Sequence, residues 1–230
     1  MSNPVLYLVR HGDIISVQGK AYIGQVEAPL SETGVEQAWA LRRWLDDVPF
    51  SLVCSSDLSR SQRTARIIAG NRTERIRPCP AFREISLGAW EGFAFKEIES
   101  RFPEEYAARG RDLENWSPPG GESFADCRAR VLPALKELLD GAEGNVLLVA
   151  HAGVNRLILC DALGIPTANL MSIGQDYGCV SILEYDLSRV RLRLMNFTPP
   201  LAQPAVERPA APARGRRETL RRRQTCQSPT

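Results

Sequence analysis

Leu8-Val9-Arg10-His11-Gly12 and Leu147-Leu148-Val149-Ala150-His151-Ala152-Gly153 are the two stretches whose reading decides the fold. In each, an apolar run ends at a histidine, and a glycine within two residues lets the chain turn. Short continuous apolar runs of this kind read as strands buried on both faces, as in a parallel sheet. The chain of 230 residues contains only these two histidines. Side chains at the carboxyl ends of parallel strands build the binding crevice of an open α/β sheet. Two imidazoles placed alike, about 140 residues apart, are therefore expected to face one pocket. Either histidine alone is equally well a hydrogen-bonded structural residue; the pair, with Arg10 beside the first, points to a site.

Working outward, strands are expected at residues 5–9, 52–55, 75–79 and 146–150. Helices are expected from Pro29-Leu30-Ser31 to about Asp47, and over 58–69, 94–109, 123–139 and 154–163. Ser31 or Thr33 can cap the first helix, whose Val35, Ala38, Leu41 and Leu45 lie near one face. Gly70 and Gly164 end two others. Residues 180–185 and 190–197 alternate in polarity and read as a closing hairpin. Strands separated by helices imply parallel crossovers, hence an α/β fold: a three-layer sandwich with a mostly parallel sheet flanked by helices. Residues 1–198 form the expected catalytic domain. From Pro199 to Thr230 a Pro-, Ala- and Arg-rich tail without a hydrophobic period is expected to be disordered.

Composition is that of an ordinary globular enzyme, 43% apolar and 24% charged. Net charge is +2, unevenly placed: the tail carries seven Arg against two Glu, leaving a mildly acidic body. Such a body is not a nucleic-acid-binding one; the basic tail is the segment through which an acidic partner or nucleic acid would dock. The six cysteines include no C-x-x-C pair and read as buried small side chains in a reducing compartment. With two histidines, zinc-ligand spacing is missing and no metal is expected. The apolar run at 5–9 is too short for a signal core or a membrane span, so a cytoplasmic protein with no membrane partner is expected.

Charge gathers near the histidines. A guanidinium such as Arg10 binds phosphate oxygens in a bidentate fashion. In Ser55-Ser56-Asp57-Leu58-Ser59-Arg60-Ser61-Gln62-Arg63-Thr64-Ala65 more arginines open a helix, whose free amides attract anions. Arg60, Arg63 and Arg66 recur every three residues and roughly share a face. Arg60, nearest the strand-to-helix junction, is the candidate anion ligand; Arg66 reads as solvated. A leaving alcohol needs a proton. Phe82-Arg83-Glu84-Ile85-Ser86-Leu87-Gly88-Ala89-Trp90-Glu91-Gly92 offers Glu84 and Glu91 in a glycine-punctuated, tryptophan-bearing loop.

Five motifs in order resemble the histidine phosphatase superfamily, the phosphoglycerate mutase-like fold, over about residues 5–197. They are Arg10-His11-Gly12, Ser55…Arg60…Thr64-Ala65, Glu84…Gly88-x-Trp90-Glu91-Gly92, Pro119-Gly120-Gly121-Glu122-Ser123 and His151-x-Gly153-Val154. The resemblance implies that His11 is a nucleophile carrying the phosphoryl group, with Arg10, Arg60 and His151 holding its oxygens. It implies that Glu84 protonates the leaving group and then activates water. Two arginines and a histidine suffice for charge neutralisation, so no metal or other cofactor is called for. Members of the family usually continue Arg-His-Gly with Glu-Thr and, three residues on, Asn. Here Asp13-Ile14 follows and Val17 stands at the Asn position, with Ser16 adjacent as the candidate substitute for a substrate contact. Gly24, in the otherwise matching stretch Gly24-Gln25…Pro29-Leu30-Ser31…Gly34, joins that substrate-binding set.

The modest segment between Gly92 and Pro119 resembles α-ribazole phosphatase-like small-molecule phosphatases, whereas cofactor-dependent mutases generally carry a longer insertion. The expected function is phosphomonoester hydrolysis of a small phosphorylated metabolite, α-ribazole phosphate being one. The alternatives are a phosphoglycerate mutase and, in another class, an inactive scaffold of the same fold.

Overall fold

A computed structural model describes residues 4–15, 21–70, 76–186 and 189–201. Its centre is a six-stranded sheet ordered β3-β2-β4-β1-β5-β6, built from β1 (Val5–Arg10), β2 (Phe50–Ser55), β3 (Ile76–Pro78), β4 (Asn145–Ala150), β5 (Val180–Asp186) and β6 (Arg189–Phe197). The first four strands run parallel. β5 pairs antiparallel with β1, and β6 antiparallel with β5. The sheet is thus mixed, its parallel part closed at one edge by the expected hairpin.

Alternate residues of β4 divide the core. Val146, Leu148 and Ala150 face one layer, with Cys127, Val131 and Leu135 of α5 (Phe124–Asp140) and Val154, Leu157 and Ile158 of α6 (Ala152–Leu163). Leu147 and Val149 face the other, with Leu41 of α1 (Glu32–Trp44) and Ala65 and Ile68 of α2 (Ser59–Ala69). All five β4 residues are fully buried, which explains why this strand reads as a continuous apolar run. Burial of each large aliphatic side chain contributes about 1.5–3 kcal/mol, so the layers lock β4 in register. The register matters for function. β1 and β4 pair from Val5 opposite Asn145 to Arg10 opposite Ala150, so His11 and His151 emerge side by side.

Local signals hold at most helix ends. The Ser31 hydroxyl accepts the Gly34 N–H to cap α1, and Ser123 and Asp126 form a reciprocal capping box on α5. The continuous helix expected over 94–109 is instead two, α3 (Phe95–Arg101) and α4 (Pro103–Arg111). Pro103 cannot continue a helix, and it forces Phe102 to φ −132°, ψ 56°. The third strand is shorter than expected, and the expected start, Arg75, lies outside the described residues. So does the tail from residue 202 onward. Among the described residues no helix is long and apolar enough to cross a membrane.

Candidate active site

His11 leaves β1 with its backbone N–H still on the Ala150 carbonyl of β4 (3.1 Å). Its imidazole is buried, and Nδ1 lies 2.8 Å from the Gly12 carbonyl. A carbonyl oxygen only accepts, so Nδ1 carries the proton and Nε2 keeps its lone pair. Burial, then the charges of Arg60 and Arg10, hold the His11 pKa well below the usual histidine range. The ring is therefore neutral near pH 7, the state a nucleophile requires. Gly12 is needed for close approach: a Cβ there would lie 2.3 Å from the Gly34 carbonyl oxygen in the first turn of α1.

Two guanidiniums flank this ring. Arg10 donates from Nη1 to the Gln175 carbonyl, and its Cζ lies 3.6 Å from the centroid of the Tyr177 ring, a cation–π contact. Arg60 is buried at the start of α2, donating to the carbonyls of Val26 (2.8 Å) and Gly24 (2.6 Å). Thr64 ties the pieces together, accepting from Gly12 N–H (3.2 Å) and donating to the Arg60 carbonyl (2.8 Å). The side chains of Arg63 and Arg66 are exposed while Arg60 is buried, so the three do not share a face. A step of three residues drifts about 60° around a helix, and two steps turn Arg66 away from the site.

His151 is the N-cap residue of α6, its ring centroid 5.0 Å from that of His11. Nε2 is hydrogen-bonded to Ser56 Oγ at 2.8 Å. Burial, followed by His11, Arg60 and Arg10, holds its pKa well below the ordinary value. Nδ1 of His151, Nε of Arg10 and Nε of Arg60 are buried polar atoms without a hydrogen-bond partner among the described residues. Each is thus an unsatisfied buried polar group close to His11.

Glu84 sits at the N-terminus of α6. Gly153 N–H contacts both carboxylate oxygens (3.1 and 3.2 Å), and Ile85 N–H donates to Oε1 (3.0 Å). A helix N-terminus is a natural seat for a carboxylate. Gly153 leaves room for it, since a Cβ there would lie 2.6 Å from Glu84 Oε1. The loop below is strapped by Arg130 of α5. Its guanidinium donates to the carbonyls of Ala81, Arg83 and Glu84 and grips both oxygens of Glu122.

Glu91, the other carboxylate in that loop, is bound to the backbone N–H groups of Gln25 and Leu87 and acts as a clasp between loops. The fold gathers His11, His151, Arg10 and Arg60 where β1 and β4 end, with Glu84 beside them at the N-terminus of α6. Gly24 joins them through the carbonyl that holds Arg60; Ser16 lies outside the described residues. Tyr177, Gln175, Ser56 and Arg130 were not expected. The signal for Tyr177 was Gln175-Asp176-Tyr177-Gly178, a polar turn just before β5. Only the antiparallel pairing of β5 with β1, Val180 opposite Val9, carries that turn to the end of β1. Among the described residues no group of three or more His, Cys, Asp or Glu could hold a metal ion.

The chain is 31% identical over 192 residues to an adenosylcobalamin/alpha-ribazole phosphatase of Escherichia coli, covering 83% of this chain and 95% of that one. It is 34% identical over 177 residues to a glucosyl-3-phosphoglycerate phosphatase of Mycolicibacterium vanbaalenii, covering 74% and 78%. Among solved structures it is similar to the alpha-ribazole phosphatase of Shigella flexneri, with a TM-score of 0.78 at 31% identity over 84% of this chain and 96% of that one. The family described as histidine phosphatase superfamily (branch 1) matches residues 6–198. With two buried strand-end histidines between two arginines, and over that span of sequence, the chain belongs to the histidine phosphatase superfamily.

Proposed function

We propose that this phosphatase works through a phosphohistidine on His11 and hydrolyses small phosphorylated metabolites, α-ribazole phosphate among them. One observation carries the reading: Nδ1 of His11 is held on the Gly12 carbonyl, which leaves the Nε2 lone pair free as a neutral nucleophile beside His151, Arg10 and Arg60. Nε2 attacks phosphorus while the ester P–O bond breaks. Glu84 gives its proton to the departing alkoxide. In the second half, Glu84 takes a proton from water, the hydroxide adds to phosphorus, and the P–N bond breaks to release phosphate and restore His11. Arg10, Arg60 and His151 neutralise charge on the transferring oxygens, the main demand of phosphoryl transfer. The substrate class rests on the likeness to the two phosphatases named above.

The test is chemical. Quenching turnover of labelled substrate should trap an acid-labile, base-stable adduct on His11, and His11→Ala should lose turnover while its melting transition persists. Near-normal turnover by His11→Ala would overturn the assignment. A metabolite screen with α-ribazole phosphate, and with 3-phosphoglycerate in the presence and absence of 2,3-bisphosphoglycerate, separates phosphatase from mutase.

A further inference from the structure

We propose that Tyr177 is a positioning residue for the reaction at His11: the face of its ring fixes the plane of the Arg10 guanidinium, and Asn196 in β6 holds the turn that carries it. The inference rests on the reading above, because it concerns how one of the proposed phosphoryl-binding groups is aimed. Arg10 Cζ lies 3.6 Å from the centroid of the half-buried Tyr177 ring, and that centroid lies 5.6 Å from the one of His11. A single hydrogen bond, from Nη1 to the Gln175 carbonyl, leaves a guanidinium able to swing about it. Contact with a ring face removes that freedom. The side edge of the group, formed by Nε and Nη2, points away from this bond, and Nε has no hydrogen-bond partner among the described residues. The same edge takes two oxygens elsewhere in this molecule: Arg83 grips Asp57 through it (2.8 and 2.6 Å), and Arg130 grips Glu122 (2.7 and 2.8 Å). A guanidinium aimed by Tyr177 and Gln175 offers that fork to two phosphoryl oxygens.

The ring is itself held from two sides. Gly178 N–H donates to the His11 carbonyl and Arg10 N–H to the Cys179 carbonyl (3.1 Å each), so the turn is tied to the backbone of the two residues that its ring meets. On the far side, β6 bulges against β5: Val180 pairs with Phe197, but Ile182 pairs with Leu194. Asn196 lies in that bulge with φ 51°, the only positive value outside glycine among the described residues. Asparagine tolerates this region better than most side chains. Its Oδ1 accepts the Asp176 N–H (2.7 Å), its Nδ2 donates to Asp176 Oδ2 (2.8 Å), and its own N–H donates to Ser181 Oγ (3.1 Å). Such strain persists only where the surroundings over-determine it, and two of the three bonds that do so here end one residue before Tyr177.

The test is a double-mutant cycle on nitrophenyl phosphate with Tyr177→Leu and Arg10→Ala. Tyr177→Leu should lower kcat/KM by roughly 10- to 100-fold, the cost of a misaligned group. Tyr177→Phe keeps the ring face and should restore kcat/KM to within about threefold of wild type. In the Arg10→Ala background, Tyr177→Leu should cost less than about twofold more, because the group it aims is gone. Where Arg10→Ala turns over too slowly to measure, the same cycle is read from the Kd of orthovanadate by calorimetry. Asn196→Gly suits the backbone angle and removes the side-chain ties, and it carries the test if Tyr177→Leu fails to fold. It should lower kcat/KM by roughly threefold to tenfold, again only with Arg10 present. An unchanged kcat/KM in Tyr177→Leu, a loss equal with and without Arg10, or a loss as large in Tyr177→Phe as in Tyr177→Leu would overturn the positioning role while the His11 adduct still forms. Absence of both turnover and adduct in the wild type would overturn the catalytic reading, and this one with it.

Discussion

Arg130 is not expected to touch substrate, yet its replacement by Met should be felt in both stability and chemistry. The guanidinium makes contacts of 2.7 and 2.8 Å to Glu122, 2.7 Å to Ala81 O, 2.9 Å to Arg83 O and 3.1 Å to Glu84 O. Its side chain is 23% exposed and that of Glu122 is 24% exposed, so the pair is mostly, not wholly, desolvated. Removing one partner of a buried pair costs about 3–5 kcal/mol, and of an exposed pair about 0–1. Discounting for residual solvent gives about 2–4 kcal/mol for Arg130→Met. At about 2–4 °C per kcal/mol for a chain of this size, the melting temperature should fall by roughly 5–15 °C. Below that transition, the Glu84 backbone keeps only the bond from Gln25 to its carbonyl, so the proposed proton donor loses the strap beneath it and relies on its Gly153 and Ile85 N–H contacts. Turnover of an alkyl ester should drop by roughly 10- to 100-fold, the cost of a displaced catalytic group. A nitrophenyl ester, which departs without a proton, should be much less affected. Differential scanning calorimetry and steady-state rates on the two esters measure both effects. A melting temperature within about 2 °C of wild type, together with an unchanged alkyl-to-aryl rate ratio, would refute the strap as the device that positions Glu84.

Glu84→Gln should slow alkyl esters by roughly 10²–10⁴-fold and nitrophenyl phosphate far less; equal losses on both would make Glu84 structural. His11 and His151 are buried with pKa values held low, so below about pH 6.5 the unfolded chain binds protons that the folded chain does not. Stability should therefore fall as pH drops from 6.5 toward 5, by up to about 1.4 kcal/mol per pH unit per histidine. These are the only two histidines, and His11→Gln should remove part of that slope in urea melts; a flat profile would show that they titrate normally. In the proposed mechanism Arg10, Arg60 and His151 supply the charge neutralisation, so turnover should persist in excess EDTA; loss with rescue by one metal would require another mechanism. Removing residues 202–230, whose composition is rich in Pro, Ala and Arg, should leave melting temperature and turnover nearly unchanged; a large fall in either would mean that the tail packs on the body.

The site was legible where function and local structure coincide. His11 and His151 end apolar runs that only a two-sided buried strand explains, and Arg60 opens a helix whose Thr64 returns to Gly12. Residue pattern alone leaves Glu84 and Glu91 as alternatives, and the family motif points to Glu84. In the structure the two differ in the backbone N–H groups each meets, Gly153 for Glu84 and Gln25 and Leu87 for Glu91. Tyr177 and Arg130 were illegible for a related reason: each arrives from a distant element by tertiary packing, with no local signature. The break at Pro103 was readable from the missing N–H, but helical periodicity on both sides masked it. The arginine spacing misled because three residues approximate a helical turn only once.

The pairing of β1 with β4 also governs when this protein becomes an enzyme. Val5 must wait for Asn145, and the partner of Val9 on its other side, Val180, comes later still. At about 5–20 residues per second, a ribosome needs roughly 7–28 s to deliver β4 after β1. Throughout that interval the apolar Val5–Arg10 segment has neither neighbour in the sheet. A nascent chain therefore holds His11 early but lacks its neighbour His151 until most of the body has emerged. The same delay leaves an aggregation-prone strand for chaperones to shield, so substitutions that raise the hydrophobicity of Tyr7 or Arg10 should reduce soluble yield before they alter the finished fold.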